Sequence, residues 1–225
     1  MKQGKAVVLV SGGMDSLVTA AVSVRENKDI FFLHLNYGQK TQRKEAECFR
    51  ALVKHYKPKK FLETDLDYFT AIGGSSLTDK NIAISDHDPT EKGIPSTYVP
   101  FRNAQFLSIA VSWAEVIGAG KIYIGAVEED STNDPVCRKV FFEAFQHTID
   151  TGTKGDKPIE IVTPLLKLSK AEIVKLGTKL HAPFEHSWSC YRDNVVACGT
   201  CDSCVLRLKG FRNAGLTDPI TYRKR

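Results

Sequence analysis

The chain has 225 residues, enough for the core of one large domain or of one domain with a small appendage. Its 42% hydrophobic and 25% charged residues are ordinary for a globular protein, and a net charge of +5 suits an anionic ligand but is weak evidence for nucleic-acid binding. The apolar run after residues 1–5 is too short for a signal peptide or a membrane span, and no later run is longer, so we expect a cytoplasmic protein.

Strands and helices are predicted to alternate along the chain. Short runs rich in apolar residues predict buried strands at residues 6–10 and 30–35 and further strands at residues 61–64, 121–126 and 159–162. Apolar residues at helical spacing predict helices over residues 17–24, around Phe49 to Tyr56, and over residues 104–117 and 140–149. Residues 70–100 are rich in glycine and proline, and a loop of that length is usually a lid, a binding loop or disordered.

Repeated strand–helix units predict an α/β fold, a five-stranded parallel sheet flanked by helices that is Rossmann-like in its layout. Ligands of such sheets bind at the carboxyl ends of the strands. Four segments directly follow predicted strands, and we therefore expect them to line one crevice: residues 11–16, 36–39, 128–130 and 163–165.

The most informative segment follows the first predicted strand and reads Ser11-Gly12-Gly13-Met14-Asp15-Ser16. A strand that enters a glycine turn and then a helix directs backbone amides and the positive helix end at one spot, which suits a phosphate or pyrophosphate. The two glycines remove Cβ atoms that would hold the backbone away from the anion. Asp15 suits that anion if Mg²⁺ bridges its carboxylate to phosphate oxygens.

The glycine spacing of this loop matches neither a Walker A motif nor a dinucleotide fingerprint. The loop resembles the SGGxDS pyrophosphate loop of the N-type ATP pyrophosphatase superfamily, whose members split ATP into AMP and pyrophosphate. The alternative is an ordinary tight turn between a strand and a helix. The resemblance implies an adenine nucleotide alpha hydrolase-like fold and an ATP site that includes Val10, Ser11, Gly12, Gly13, Met14, Asp15 and Ser16.

Two further segments carry candidate ligands for phosphate. Arg102 and Asn103 open a helix after the long loop, where they either bind a phosphate or base edge or form an exposed helix start. Ser169 and Glu172 predict a capping box, which places Lys170 at a helix start just past the fifth strand. Asp15 and Lys170 are therefore the candidate catalytic residues, and Arg102 and Asn103 join the predicted ATP site.

A second strong pattern lies near the C-terminus, where four cysteines have the spacing C-x7-C-x2-C-x2-C. Four thiolates at this spacing can close a tetrahedral Zn²⁺ site, which leaves no open position and is therefore structural. An iron–sulfur cluster is the competing interpretation. We expect residues 1–182 to form the α/β domain and residues 183–225 a small zinc knuckle packed on it, with the ligands Cys190, Cys198, Cys201 and Cys204.

Together these motifs resemble the 7-cyano-7-deazaguanine synthase family of queuosine biosynthesis over nearly the whole chain. The loop is shared across the superfamily, and its combination with the cysteine knuckle is more specific. The other matching segments are residues 36–39, 95–103, 125–130, 164–172, 187–191 and 207–211.

The resemblance implies an ATP-dependent C–N ligase. The carboxylate of 7-carboxy-7-deazaguanine attacks ATP to form an acyl-adenylate, ammonia converts this to an amide, and a second ATP activates the amide for elimination to the nitrile. Pyrophosphate must be neutralised as it leaves, which the loop amides, Mg²⁺ and Lys170 can do. The acyl-adenylate must be kept from water, which residues 70–100 can do as a lid.

One segment departs from the family pattern. Where the family usually has Ser-Gly-Tyr-Pro-Asp-Cys-Arg, this chain has Asn133, Asp134 and Val136 in place of Gly, Tyr and Asp. A family carboxylate here would pair with the edge of a guanine-like base, and Asp134 is the candidate replacement. The resemblance makes Asp130, Asp134 and Arg138 the expected substrate-binding residues.

Three functions remain open from the sequence. The first is the nitrile synthase, with a deazapurine and ammonia as partners and, by the resemblance, a homodimer. The second is an adenylating amide ligase with another acceptor. The third is a tRNA-modifying pyrophosphatase, which a charge of +5 and the absence of an added RNA-binding domain disfavour. We therefore expect no direct contact with nucleic acid and none with a membrane.

Overall fold

The computed structural model describes residues 4–90, 93–128, 134–155 and 157–224. Its core is one parallel sheet in the order β3-β2-β1-β4-β5, which confirms the predicted five-stranded parallel sheet. The strands are β1 (Lys5–Leu9), β2 (Asp29–Asn36), β3 (Lys60–Asp65), β4 (Lys121–Tyr123) and β5 (Glu160–Val162).

Helices connect the strands and cover both faces of the sheet. They are α1 (Met14–Glu26), α2 (Gln42–Tyr56), α3 (Tyr68–Ile72), α4 (Arg102–Ile117), α5 (Lys139–Gly152), α6 (Lys170–Lys179) and α7 (Asp202–Ala214). Short 3₁₀ turns lie at Pro135–Cys137 and Phe184–His186.

The central strand β1 is buried on both sides, because alternate residues of a strand point to opposite faces of a sheet. Val7 and Leu9 pack in one apolar cluster with residues of α3, α4 and α5. Ala6, Val8 and Val10 pack in the other with residues of α1, α2 and α6. The loop after β1 leads into α1 on one face of the sheet, and α4 lies on the other face. The starts of α1 and α4 therefore meet at the carboxyl edge of β1.

The irregular segment over residues 73–101, here called the strap, is fastened to the body by hydrogen bonds. The Lys40 backbone amide donates to the carbonyl oxygen of Leu77 at 2.9 Å, and Lys40 Nζ donates to that of Ile82 at 2.6 Å. Within the strap, the Ser76 amide donates to Ser96 O at 2.8 Å. The described part of this predicted lid or binding loop is therefore packed across the carboxyl edge of the sheet.

A buried ion pair holds the C-terminal segment together. Arg207 of α7 is 1% exposed and donates to both carboxylate oxygens of Asp218, at 2.8 and 2.9 Å. Arg207 also donates to Ser187 Oγ at 2.8 Å, and the Tyr222 hydroxyl donates to Asp218 at 2.6 Å. In the part of the chain that the structure describes, no helix has the length and apolarity needed to cross a membrane.

Candidate functional site

A cavity of about 460 Å³ lies at the carboxyl ends of β1, β2 and β4. Its wall brings together the loop after β1, the starts of α4, α6 and α7, and the strap. The polar and aromatic residues in this wall include Ser11, Asp15, Ser16, Tyr37, His87, Tyr98, Arg102, Asn103, Phe106, Asp134, Lys170, Tyr191, Asp202 and Arg207.

Residues 11–16, here called the phosphate loop, are held by hydrogen bonds among themselves. Ser16 Oγ accepts from the Ser11 amide at 3.2 Å and donates to Gly13 O at 3.0 Å. Gly12 has φ +87°, and a Cβ there would lie 2.6 Å from the carbonyl oxygen of Glu45. A glycine is therefore required at position 12 by both backbone conformation and space.

The helix that follows this loop is open at its N-terminus. Gly13 is the N-cap of α1 and supplies no capping side chain, so amides of the first turn are left for a ligand. Gly125, just past β4, comes so close that a Cβ there would lie 3.0 Å from Asp15 O and Ser16 N. The carboxyl end of β4 thus packs directly against the first turn of α1.

The candidate catalytic residues Asp15 and Lys170 are in contact. Lys170 Nζ lies 2.8 Å from Asp15 Oδ2, and their side chains are 14% and 29% exposed. Ser169 and Glu172 form the predicted capping box at the start of α6, which positions Lys170. Gly210 of α7 leaves room for it, since a Cβ on Gly210 would lie 2.8 Å from Lys170 Cβ.

The second oxygen of the Asp15 carboxylate fits the predicted Mg²⁺. Asp15 Oδ1 is buried and has no hydrogen-bond partner among the described residues. A carboxylate oxygen is a preferred ligand of Mg²⁺, which usually takes one or two protein carboxylates and completes its shell with phosphate oxygens and water.

Arg102, at the start of α4, contacts aromatic rings inside the cavity. Its Nη1 donates to the Tyr37 hydroxyl at 3.0 Å, and its guanidinium carbon lies 5.4 Å from the Tyr37 ring centre and 5.8 Å from that of Phe106. Burial raises the pKa of Tyr37 above its ordinary value and that of Tyr191 to about 12. Both phenols therefore keep their protons and can donate to an acceptor in the cavity.

The other predicted ligands of ATP and substrate lie in different places. Asn103 donates to Val136 O at 3.0 Å, so part of its amide is already used within the protein. Asp134 lines the cavity, where its Oδ1 accepts from the Val136 amide at 3.1 Å. Arg138 is exposed at the N-cap of α5 and is not among the residues that line the cavity. Asp130 lies outside the described residues.

The four cysteines of the predicted metal site converge. The sulfur atoms of Cys190, Cys198, Cys201 and Cys204 all lie within 4.8 Å of one another. Backbone amides of Arg192 and Cys198 donate to Cys190 Sγ, each at 3.4 Å. The pKa of Cys190 lies below its ordinary value, because the thiols of Cys201 and Cys204 and these amides donate to it. The cluster can therefore hold a metal ion through thiolates.

This cysteine cluster is joined to the phosphate loop by a short connection. The Trp188 amide, two residues before Cys190, donates to Gly12 O at 2.9 Å. The Trp188 side chain packs with Cys48, Cys190, Cys201 and Cys204 in one small core. A rearrangement of the knuckle would therefore be transmitted to the loop through Trp188.

Of residues 128–130, expected at the crevice, Glu128 does not line the cavity of the phosphate loop, and residues 129–130 lie outside the described residues. A second expectation about the crevice is also wrong. Residues 163–165 follow β5 but do not line the cavity of the phosphate loop. Leu165 is fully buried, and Thr163 and Pro164 line a separate, shallower pocket next to α5. The reason is the position of β5 at the edge of the sheet, one strand away from the β1–β4 junction where the cavity lies.

Sequence reasoning missed several residues of the cavity wall. Tyr37 lies in residues 36–39, which were expected at the crevice and do reach it, but no local pattern assigned Tyr191 to the cavity. Arg207 lies in α7 and reaches the cavity only because α7 packs on α6.

The chain was compared with protein families and curated proteins. The family model described as "Queuosine biosynthesis protein QueC" matches residues 5–215. Proteins named 7-cyano-7-deazaguanine synthase from Chlorobaculum parvum and Chlorobaculum tepidum are each 56% identical over 221 residues, which cover 98% of this chain and 97% of the relative.

Solved structures show a similar fold at low identity. The U34-tRNA thiolase NcsA from Methanococcus maripaludis, solved with its [4Fe-4S] cluster, has a TM-score of 0.52 and 17% identity, over 81% of this chain and 58% of that one. A 4-thiouridine synthetase in complex with RNA and bound ATP also has a TM-score of 0.52, with 20% identity over 97% of this chain and 47% of that one. These likenesses confirm the adenine nucleotide alpha hydrolase-like fold.

Proposed function

Because the chain belongs to the queuosine biosynthesis protein QueC family, we propose that it is a C–N ligase that converts 7-carboxy-7-deazaguanine and ammonia to 7-cyano-7-deazaguanine at the expense of ATP. The observation that carries the proposal is the convergence of an open helix start, Lys170 and Arg102 on one cavity. An anion-binding helix end beside two cations suits a triphosphate and a carboxylate.

In the first half of the reaction, the substrate carboxylate attacks the α-phosphorus of ATP. The bond to the bridging oxygen breaks, pyrophosphate leaves with the electron pair, and an acyl-adenylate remains. The amides of the phosphate loop and Lys170 Nζ stabilise the charge that develops on pyrophosphate. Mg²⁺ held by Asp15 Oδ1 would supply further neutralisation of the phosphates.

In the second half, ammonia adds to the acyl carbon, loses a proton and displaces AMP to give the amide. The amide oxygen then attacks the α-phosphorus of a second ATP and releases a second pyrophosphate, and loss of two protons with AMP leaves the nitrile. The strap supports the exclusion of water from these intermediates, because Tyr98 and other strap residues form part of the cavity wall.

We propose that Asp130, Asp134 and Arg138 bind the base of the substrate. Asp134 has the best support, because it lines the cavity and its Oδ2 is not used in the hydrogen bond to the Val136 amide. An Asp134→Asn variant should bind the acid about tenfold more weakly and ATP unchanged. Equal calorimetric affinities of the variant and the parent protein for the acid would remove Asp134 from the site.

At the knuckle we propose one structural Zn²⁺ per chain. Four cysteine ligands leave no open position for catalysis, which supports a structural role. The competing iron–sulfur cluster would show visible absorbance and iron in metal analysis. We further propose that the protein is a homodimer acting on small molecules rather than on nucleic acid, which sedimentation with and without tRNA would test.

The test of the activity is product analysis. The protein is incubated with ATP, ammonia and the deazaguanine acid, and mass spectrometry is expected to show the nitrile, with AMP and pyrophosphate formed. Val136 stands where the family usually has a carboxylate, which favours one alternative, an amide ligase with another acceptor. Accumulation of the amide without the nitrile, or no turnover of this acid, would support that alternative.

A further inference from the structure

Arg102 is a cation held in a fixed pose by aromatic rings. The Tyr37 hydroxyl accepts from Nη1 at 3.0 Å, and the guanidinium lies over the rings of Tyr37 and Phe106. Tyr37 itself packs against Phe69 and Phe106, with ring centres 5.9 and 5.6 Å apart. The guanidinium is therefore pre-organised before any ligand binds.

This cation has no carboxylate partner in the described part of the chain. Within those residues, no Asp or Glu oxygen lies within ion-pair distance of Arg102, and Nε is buried with no hydrogen-bond acceptor. In the same part, each of the other cations at the cavity has such a partner: Lys170 has Asp15, and Arg207 has Asp218. Asp134 acts on Arg102 electrostatically but lies beyond ion-pair distance, so the guanidinium has a donor left for an anion of the ligand.

Two anions could serve, a phosphate of ATP or the carboxylate of the substrate. The phosphates already have a separate receptor in the open start of α1 and Lys170, on the face of the sheet covered by α1 and α6. Arg102 approaches from the opposite face, with α4. The rings of Tyr37 and Phe106 lie beside Arg102, and Tyr98 and Tyr191 also line the cavity. Aromatic walls of this kind suit a flat aromatic ligand better than a phosphate chain.

We propose that Arg102, held by Tyr37, binds the carboxylate of the aromatic acid that is to be adenylated, and is therefore a substrate residue rather than an ATP residue. This inference rests on the proposed function. Arg102 positions the carboxylate at the edge of β1, where the phosphate loop presents the nucleotide from the other face. Adenylation and amidation then remove the charge that Arg102 binds, so the neutral amide and nitrile are held more weakly than the acid.

The experiment compares an anion with its neutral isostere by calorimetry. The ligands are the deazaguanine acid, its carboxamide and α,β-methylene-ATP, which cannot release pyrophosphate. The parent protein is expected to bind the acid at least about tenfold tighter than the carboxamide. In Arg102→Gln this preference should fall to within about twofold, while the affinity for the nucleotide analogue stays within about twofold of the parent value.

Two further variants control the result. Tyr37→Phe keeps the ring but removes the hydroxyl that holds Nη1, and it should lose part of the preference for the acid. Arg25→Gln removes an exposed arginine in the last turn of α1, at the opposite edge of the sheet, and should bind all three ligands as the parent does.

Different failures have different meanings. Equal loss of acid and carboxamide binding in Arg102→Gln, or loss of nucleotide binding alone, would overturn the role of Arg102. An acid-to-carboxamide ratio near one in the parent protein would overturn it as well, even if Arg102→Gln does not fold. A parent protein that binds the nucleotide but neither deazaguanine ligand would instead refute the substrate of the proposed function.

Discussion

The phosphate loop and the cysteine knuckle meet at the same cavity but are built differently. The loop is stabilised mainly within itself, through hydrogen bonds among Ser11, Gly13 and Ser16. The knuckle also gathers its four sulfurs from a short stretch, but it makes further hydrogen bonds to segments far away in the chain. The loop thus concentrates groups that can bind phosphate, whereas the knuckle connects parts of the chain that would otherwise be separate.

Three connections show what the knuckle joins. Trp188 binds Gly12 O of the phosphate loop, and Arg192 donates to Ile84 O of the strap at 3.0 Å. His87 of the strap lies 2.8 Å from Asp202 at the start of α7. The difference predicts that changes in the knuckle lower stability and then affinity, while removal of a phosphate-binding side chain of the loop lowers turnover alone.

The largest effect is expected from loss of the knuckle metal. Cys201→Ser, or removal of the metal by a chelator, should destabilise the fold by about 4 kcal/mol or more, which corresponds to a fall in Tm of roughly 10 °C. Calorimetric unfolding with metal analysis measures both quantities. Cys48→Ser, a buried cysteine outside the cluster, is the control for loss of a thiol and should keep its metal.

Next in size is the effect of Asp15→Ala on turnover. Formation of AMP should fall by roughly a hundredfold to a thousandfold, because the metal–phosphate contact and the partner of Lys170 are both lost. Its Tm should change little, since the Asp15–Lys170 pair is partly exposed. Asp150→Ala on exposed α5 is the control. AMP release at the parent rate would contradict the role of Asp15.

A third variant tests the buried ion pair of the C-terminal segment separately from its metal. Asp218→Asn leaves the buried Arg207 charge without its partner and should cost about 3 kcal/mol of unfolding free energy. Its metal content should equal that of the parent, because Asp218 is not one of the clustered ligands. A variant as stable as the parent in urea unfolding would show that the Arg207–Asp218 pair does not stabilise the segment.

The smallest effect is expected in the strap. Asp86→Ala removes the carboxylate that Arg192 binds at 2.6 Å, but this carboxylate is 70% exposed, so stability should fall by less than about 1 kcal/mol. Hydrogen exchange should nevertheless rise in residues 82–88 and not in α1 or α4. An unchanged exchange pattern would mean that the backbone bonds of the strap suffice to hold it.

Much of this protein follows from local patterns in its sequence. Local sequence patterns predicted all five strands, and the signal is strongest for β1, β2 and β4, which are buried and therefore rich in apolar residues. Ser169 and Glu172 predicted the start of α6, and the cysteine spacing predicted four converging sulfurs. Each of these features depends on residues only a few positions apart, so a local reading is sufficient.

What the tertiary structure alone decided is which of these features share a cavity. The strand order places β5 at an edge, which removes residues 163–165 from the site. The contact of Arg102 with Tyr37 joins residues 65 positions apart, and Arg207 reaches the cavity only through the packing of α7 on α6. Strand order and helix packing depend on how whole faces fit together, and that information is spread over the chain rather than held in any one motif.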